Sequence, residues 1–340
     1  MKRCPMSHGR QRQRAPWPIR SSTGFTLIEL MVAMLLGLIV VGGVVSVFLA
    51  NQRSYRTNQA LGDVQDSSRI AFEMMARDIR NAGLTGCSNN GRVANVLNNR
   101  STAWWANWSN TLVGYGGSQT DLAVTTGTGA GQRVSGTDSL MLLGADSSGA
   151  SVKSNAEPAA TFTINETSSN LQTGDVIIVC DPDHAAIVQI TGYSNGTITH
   201  AASGSPGNCT TDLNYPTVCS SGSSYVFAPN AQIAKLIAAD WYIGNYVDSN
   251  GVSGRSLYRK DVTNTAQEMV RDVTSMHIAY HQAGNASFEA ADSPLLTNWA
   301  QVDAVQVNLT VESTDKRAGI DVKPLSRRFT ATTTVRNRVK

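Results

Sequence analysis

Between Phe25 and Ala50 there is no Lys, Arg, Asp or Pro, and Glu29 is the one ionisable side chain in 26 residues. That scarcity excludes an ordinary surface helix. An apolar stretch of this length can span a bilayer as one helix, with every backbone polar group satisfied internally. The segment ahead of it lacks acidic residues while carrying Lys2, Arg3, Arg10, Arg12, Arg14 and Arg20. By the positive-inside rule the amino terminus stays cytoplasmic and everything after Ala50 faces outward.

Signs of catalytic chemistry are also scarce. A His-Glu-x-x-His pair and a phosphate-binding P-loop are missing, and no strand–turn–helix nucleophile elbow of the Gly-x-Ser-x-Gly type is expected. No Cys-x-x-Cys pair supports a zinc site. His277 and His281 lie four apart in a β-like segment, which places both on one face and reads as structural. Asp181-Pro182-Asp183-His184 reads as a turn before an ion site, and Gly127-Thr128-Gly129-Ala130-Gly131 as a flexible connection. No catalytic residue, metal or cofactor is expected, and the chain reads as a non-enzyme. The formal net charge of +3 belongs to the leader, whose six cations leave with it, so the remaining chain carries −3. The basicity therefore gives no support for nucleic-acid binding.

A secretory signal is normally cut after its apolar run, following small residues. Here the small residue, Gly24, comes before the run. A cut after Gly24 keeps the helix as an anchor with Phe25 at its new amino terminus. Glu29 then acquires a reason. A carboxylate costs about 2.5–3.5 kcal/mol at mid-bilayer and less near an interface. Cleavage creates an α-amino group one helical turn away to pair with it.

Gly24-Phe25-Thr26-Leu27-Ile28-Glu29 followed by an apolar helix resembles the class III signal of type IV pilins and pseudopilins. The resemblance implies that a prepilin peptidase cuts after Gly24 and methylates Phe25, and that Glu29 pairs with the terminal amine of a neighbouring subunit during assembly. Major pilins often carry a proline in mid-anchor. This segment has Gly37, Gly42 and Gly43 instead, which provide either local softness or close helix packing.

Beyond the anchor, Asn51 to Ala82 lacks Pro and places Leu61, Val64, Ile70, Met74, Met75 and Ile79 largely on one helical side. A helix continuous from Phe25 to Ala82 would be about 87 Å long at about 1.5 Å per residue, with Gly83 as its stop signal. Residues 85–230 are rich in Gly, Ser, Asn and Thr, with short β-like runs at Ser139–Leu143, Thr161–Ile164, Asp175–Cys180 and Ala186–Thr191. Gln232–Tyr246 reads as strand or short helix, and Met269–Tyr280, Val302–Val311 and Arg327–Val335 read as strands. The expected fold is α+β, a long amino-terminal helix packed on a β-rich, largely antiparallel head. The expected organisation is leader 1–24, membrane helix 25–50, amphipathic helix 51–84 and head 85–340, with a Gly/Ser/Asn-rich insertion at about 100–225.

Cys87, Cys180, Cys209 and Cys219 lie in the head, and Cys4 belongs to the leader. An even count facing an oxidising compartment suggests two disulfides. Of three connectivities, Cys209 with Cys219 closes a short loop, and Cys87 with Cys180 ties the helix exit to the sheet. Trp104, Trp105 and Trp108 form either an exposed contact for another pilin head, an adhesin or a sugar, or a staple for a small core beneath a long loop.

Asp78-Ile79-Arg80-Asn81-Ala82-Gly83-Leu84-Thr85-Gly86-Cys87, Ser256-Leu257-Tyr258-Arg259, Val270-Arg271-Asp272-Val273 and Thr334-Val335-Arg336-Asn337-Arg338 resemble the PilW-type minor pilins. That resemblance implies a subunit of a small inner-membrane complex that primes type IV pilus assembly, supporting twitching, adhesion and DNA uptake. Its implied partners are the peptidase, other minor pilins, the major pilin, the assembly platform and a PilY-class tip adhesin. The other readings are a J-type pseudopilin of type II secretion and an anchored periplasmic enzyme or carbohydrate-binding module.

Overall fold

The protein is described by a computed structural model covering residues 24–87, 92–167, 169–220, 222–319 and 323–338. Cys4 and the leader cations lie outside the described residues. The chain divides into two compact units, Met1–Tyr55 and Arg56–Lys340.

The apolar run and the amphipathic stretch form a single helix, α1 (Leu27–Asn81). Thr26 starts it, because its Oγ1 accepts a hydrogen bond from the Glu29 N–H (3.3 Å) and its carbonyl accepts from Leu30 (3.2 Å). Gly83 ends it. Its φ of +75° suits glycine, and its N–H donates to the Leu143 carbonyl (2.8 Å).

In the second unit Ala60, Val64, Ser68, Ala71, Met75 and Ile79 are buried at i, i+3 and i+4 spacings. This corrects the predicted stripe: Ile70 is exposed, and Leu61 and Met74 are half-buried. Small side chains at positions 60, 68 and 71 let the helix backbone approach the head, so bulkier neighbours flank the contact.

Among the described residues the strands are β1 (Val93–Asn95), β2 (Leu112–Tyr115), β3 (Ser139–Ala156), β4 (Thr161–Ile164), β5 (Val176–Cys180), β6 (Ala185–Gln189), β7 (Gly192–Ser194), β8 (Thr197–Thr199), β9 (Gln232–Val247), β10 (Ser253–Asp261), β11 (Ala266–Arg271), β12 (Val273–Gln282), β13 (Phe288–Ala290), β14 (Val302–Glu312) and β15 (Ser326–Thr334). The larger sheet runs β1-β6-β5-β9-β3-β4-β8-β7, with β10 on β9, β11 on β10 and β2 on β3. A second sheet runs β13-β12-β14-β15. The β1–β6 pair is parallel and the other strand pairs are antiparallel, so the architecture is α+β.

β9 is the spine. β3 pairs with it from residue 232 to 242, while β5 pairs at its start and β10 at its end. Both of its faces are covered, which explains a burial pattern with little alternation. The period-2 rule survives in β3, where Leu140 and Leu142 join the core holding Val64, Met75 and Trp241, while Met141 and Leu143 join the core holding Trp105 and Tyr242. A third core gathers Phe162, Ile177, Val179, Val188 and Ile198. Residues 100–225 thus contribute β2–β8 and much of two cores, and are integral to the head where an insertion was expected.

The structure bonds Cys87 to Cys180 (Cα–Cα 6.0 Å) and Cys209 to Cys219 (Cα–Cα 5.3 Å). The first spans 93 residues and shortens the unfolded chain most. Replacing both Cys87 and Cys180 with Ser is expected to cost about 2–5 kcal/mol of stability. The check is the denaturant midpoint of the non-reduced protein, and an unchanged midpoint contradicts the expectation.

Candidate assembly site

Gly24 to Arg56 are exposed without interruption. A Cβ on Gly24, Gly37, Gly42 or Gly43 would meet nothing within 4 Å, and α1 runs through the last three without a break. This leaves close packing against another helix as the use of these small residues that the geometry favours. Phe25 is 78% exposed at the helix entrance, one residue beyond the predicted cut. Glu29 sits in the first turn, where a negative charge complements the helix dipole. Among the described residues its carboxylate makes no ion pair or hydrogen bond. The segment therefore presents a bare apolar cylinder with one carboxylate at its entrance, a surface that lipid or other apolar helices can cover. By length and composition, the helix is apolar enough to cross a membrane.

Within the second unit, the separated sequence signatures meet. The Asp78 Oδ2 accepts from Trp241 Nε1 (2.9 Å) and Arg259 Nε (2.8 Å), with the Asp78 and Arg259 side chains 15% and 21% exposed. Ser256 and Leu257 pair with Arg271 and Val270 across β10 and β11. Arg338 donates to the carbonyls of Trp299 (2.6 Å) and Val302 (3.1 Å) and to Thr111 Oγ1 (2.8 Å). Thr111 and Asn337 flank Gly83, where any Cβ would clash with both. These residues fix the exit of α1 from the head.

The other sequence candidates have structural partners. His281 Nδ1 lies 2.6 Å from Asp303, which holds its pKa above the ordinary histidine value, and His277 Nδ1 lies 3.8 Å from Asp138. The Asp181 Oδ1 accepts from the Asp183 and His184 N–H groups, closing the turn between β5 and β6. Burial pushes the His184 pKa down. Among the described residues no group of three or more His, Cys, Asp and Glu is placed to hold a metal ion. Trp104 and Trp105 are buried, and Trp104 Nε1 donates to Asn264 Oδ1 (3.0 Å). Trp104 and Trp105 thus take the buried alternative of the two, while Trp108, half-buried, lines a cleft.

The letters Gly-x-Ser-x-Gly do occur, at Gly192-Tyr193-Ser194-Asn195-Gly196. They form the β7–β8 hairpin, with φ of +50° at Asn195 and +74° at Gly196, so strand–turn–helix geometry is absent there.

Sequence reasoning also missed a buried polar knot beneath β9. Arg133 is fully buried and donates to the carbonyls of Gln119, Tyr115, Gly116 and Thr137. Asp240 is buried near Asp121, Arg133 and Lys260; among the described residues no N–H or hydroxyl donates to either of its oxygens, and the Asp121 carboxyl is its hydrogen-bonding neighbour. Burial first, and the Asp121 charge second, push its pKa well above the carboxylate range. The folded state therefore holds this proton more tightly than the unfolded one. The group's contribution is favourable at acid pH and is lost as pH rises from about 4, the unfolded carboxyl range, toward the folded pKa. Asp240→Asn is expected to flatten that slope, raising the denaturant midpoint more at pH 7.5 than at pH 4. Equal shifts at both pH values would contradict it.

Residues 19–45 match the family described as prokaryotic N-terminal methylation motif. No curated protein and no solved structure matches the chain. The match spans the Gly24–Phe25 junction, Glu29 and most of the apolar run, and it supports a type IV pilin-like or pseudopilin protein that is processed by prepilin peptidase and held by a single inner-membrane anchor.

Proposed function

We propose that this chain is a non-catalytic minor pilin of the PilW type, which primes type IV pilus assembly and resides at or near the pilus tip with its head periplasmic before export. The observation that carries the reading is the amino-terminal segment: a methylation motif, a bare apolar helix and a carboxylate, Glu29, without a partner among the described residues. Such a surface is completed by other subunits. Helices of neighbouring pilins cover the apolar cylinder, and a neighbour's methylated terminal amine pairs with Glu29. A large head with three cores suits a subunit that caps a fibre, because it need not repeat along the shaft. A PilY-class adhesin, other minor pilins, the major pilin and the assembly platform are the partners of this reading. Twitching and adhesion follow from a pilus that is started and tipped correctly.

The test is a deletion strain complemented with the full chain. The reading expects few surface filaments without the chain, restoration with it, and immunogold label confined to filament ends. Normal filaments combined with a loss of protein secretion would assign the chain to the J-type pseudopilins instead.

A further inference from the structure

The head carries a cleft of about 890 Å³ bounded by the helix exit, the tryptophan loop, the Cys209–Cys219 loop and the carboxyl-terminal segment. That volume lies within the ~300–1,000 Å³ typical of small-molecule sites. Among the described residues its lining contains no Asp or Glu, yet two guanidinium groups, Arg100 and Arg338, reach it. Neither makes an ion pair among the described residues. Arg100 Nη1 donates to the Leu97 carbonyl (3.1 Å) and lies 3.6 Å from Cys209 Sγ. Arg338 is held by two carbonyls and a hydroxyl. The cleft thus holds positive charge that no carboxylate of the described chain balances.

Two aromatic side chains, half-buried Trp108 and exposed Tyr215, line the cleft. Two amides have donors without a partner among the described residues. Among the described residues Asn107 accepts at its Oδ1 from Ser109 while its NH2 makes no hydrogen bond, and the Asn337 side chain makes none. The lining is more polar than apolar, which disfavours a greasy ligand. Aromatic faces suit the C–H face of a pyranose, amides suit its hydroxyls, and a guanidinium suits a carboxylate bidentately.

We propose that this cleft binds an acidic saccharide bearing uronate carboxylates, with Arg100 as the charge partner and Trp108 and Tyr215 as ring platforms. The site lies wholly within the second compact unit, so its failure would leave the assembly reading untouched. Detergent-extracted full-length protein is titrated by calorimetry and tryptophan fluorescence with trigalacturonate, trimannuronate, neutral maltotriose and the tripeptide Ala-Ala-Ala. Saturable binding of at least one uronate, about tenfold tighter than maltotriose and weakened by salt, is expected. Arg100→Gln should erase the preference for uronate, and Tyr215→Ser should weaken both sugars about tenfold, with melting temperatures unchanged. Absence of binding to both uronates overturns the proposal. So does equal binding of maltotriose or the tripeptide, or indifference to both substitutions.

Discussion

A Glu29→Ala chain is expected to be cut after Gly24 as the unsubstituted chain is, yet to be almost absent from sheared filaments. In the proposed bundle the terminal amine of the neighbouring subunit would lie among apolar helices, and removing Glu29 would leave that charge unpaired. A lone charge in such surroundings costs about 2.5–3.5 kcal/mol at mid-bilayer, which corresponds to roughly two orders of magnitude in incorporation. Thr26 still caps the helix, so the anchor remains folded and inserted. Quantitative blotting of filament and membrane fractions checks the expectation. Wild-type levels in filaments would remove Glu29 from the assembly contact.

The second large effect lies at Asp78. Its Oδ2 is the shared acceptor for the Trp241 indole N–H and the Arg259 guanidinium, and Trp241 is among the largest fully buried side chains. Asp78→Ala strands a nearly buried cation and an indole donor together. Removing one partner of a buried ion pair costs about 3–5 kcal/mol. The Arg259 Cζ lies 6.0 Å from the Trp241 ring centroid, at the outer limit of cation–π attraction, which offsets only a small part of that loss. Melting of the purified protein is expected to drop by several degrees and α1 protection in hydrogen exchange to fall between residues 64 and 81. Asp78→Asn, which keeps an acceptor, should recover part of the loss. An Asp78→Ala protein as stable as the parent would show that the contact contributes nothing.

What could be read from the sequence depended on the range of the forces involved. The anchor was legible because membrane insertion is governed by local composition, and the boundaries of α1 fell within two residues of the expected ones because Thr26 and Gly83 act locally. Alternating Val305, Val307, Leu309 and Val311 revealed β14 for the same reason. β9 stayed ambiguous because burial on both faces erases alternation. β3 extends to Ala156 through a Gly- and Ser-rich stretch that backbone pairing with β9 and β4 holds extended, a force side-chain pattern does not report. Met269–Tyr280 read as one strand but breaks at Asp272, whose φ of +58° sends β11 and β12 to different sheets. The Arg133–Asp240 knot and the cationic cleft draw on residues scattered along the head, so only the folded chain brings them together.

The central claim is entry into the prepilin pathway. Intact-mass and amino-terminal sequencing of the membrane-extracted protein, from cells with and without active prepilin peptidase, tests it most directly. The account predicts a mature chain beginning with N-methylated Phe25 when the peptidase is present, and an uncut chain when it is not. A chain left uncut in both strains, or cut beyond Ala50, would contradict it.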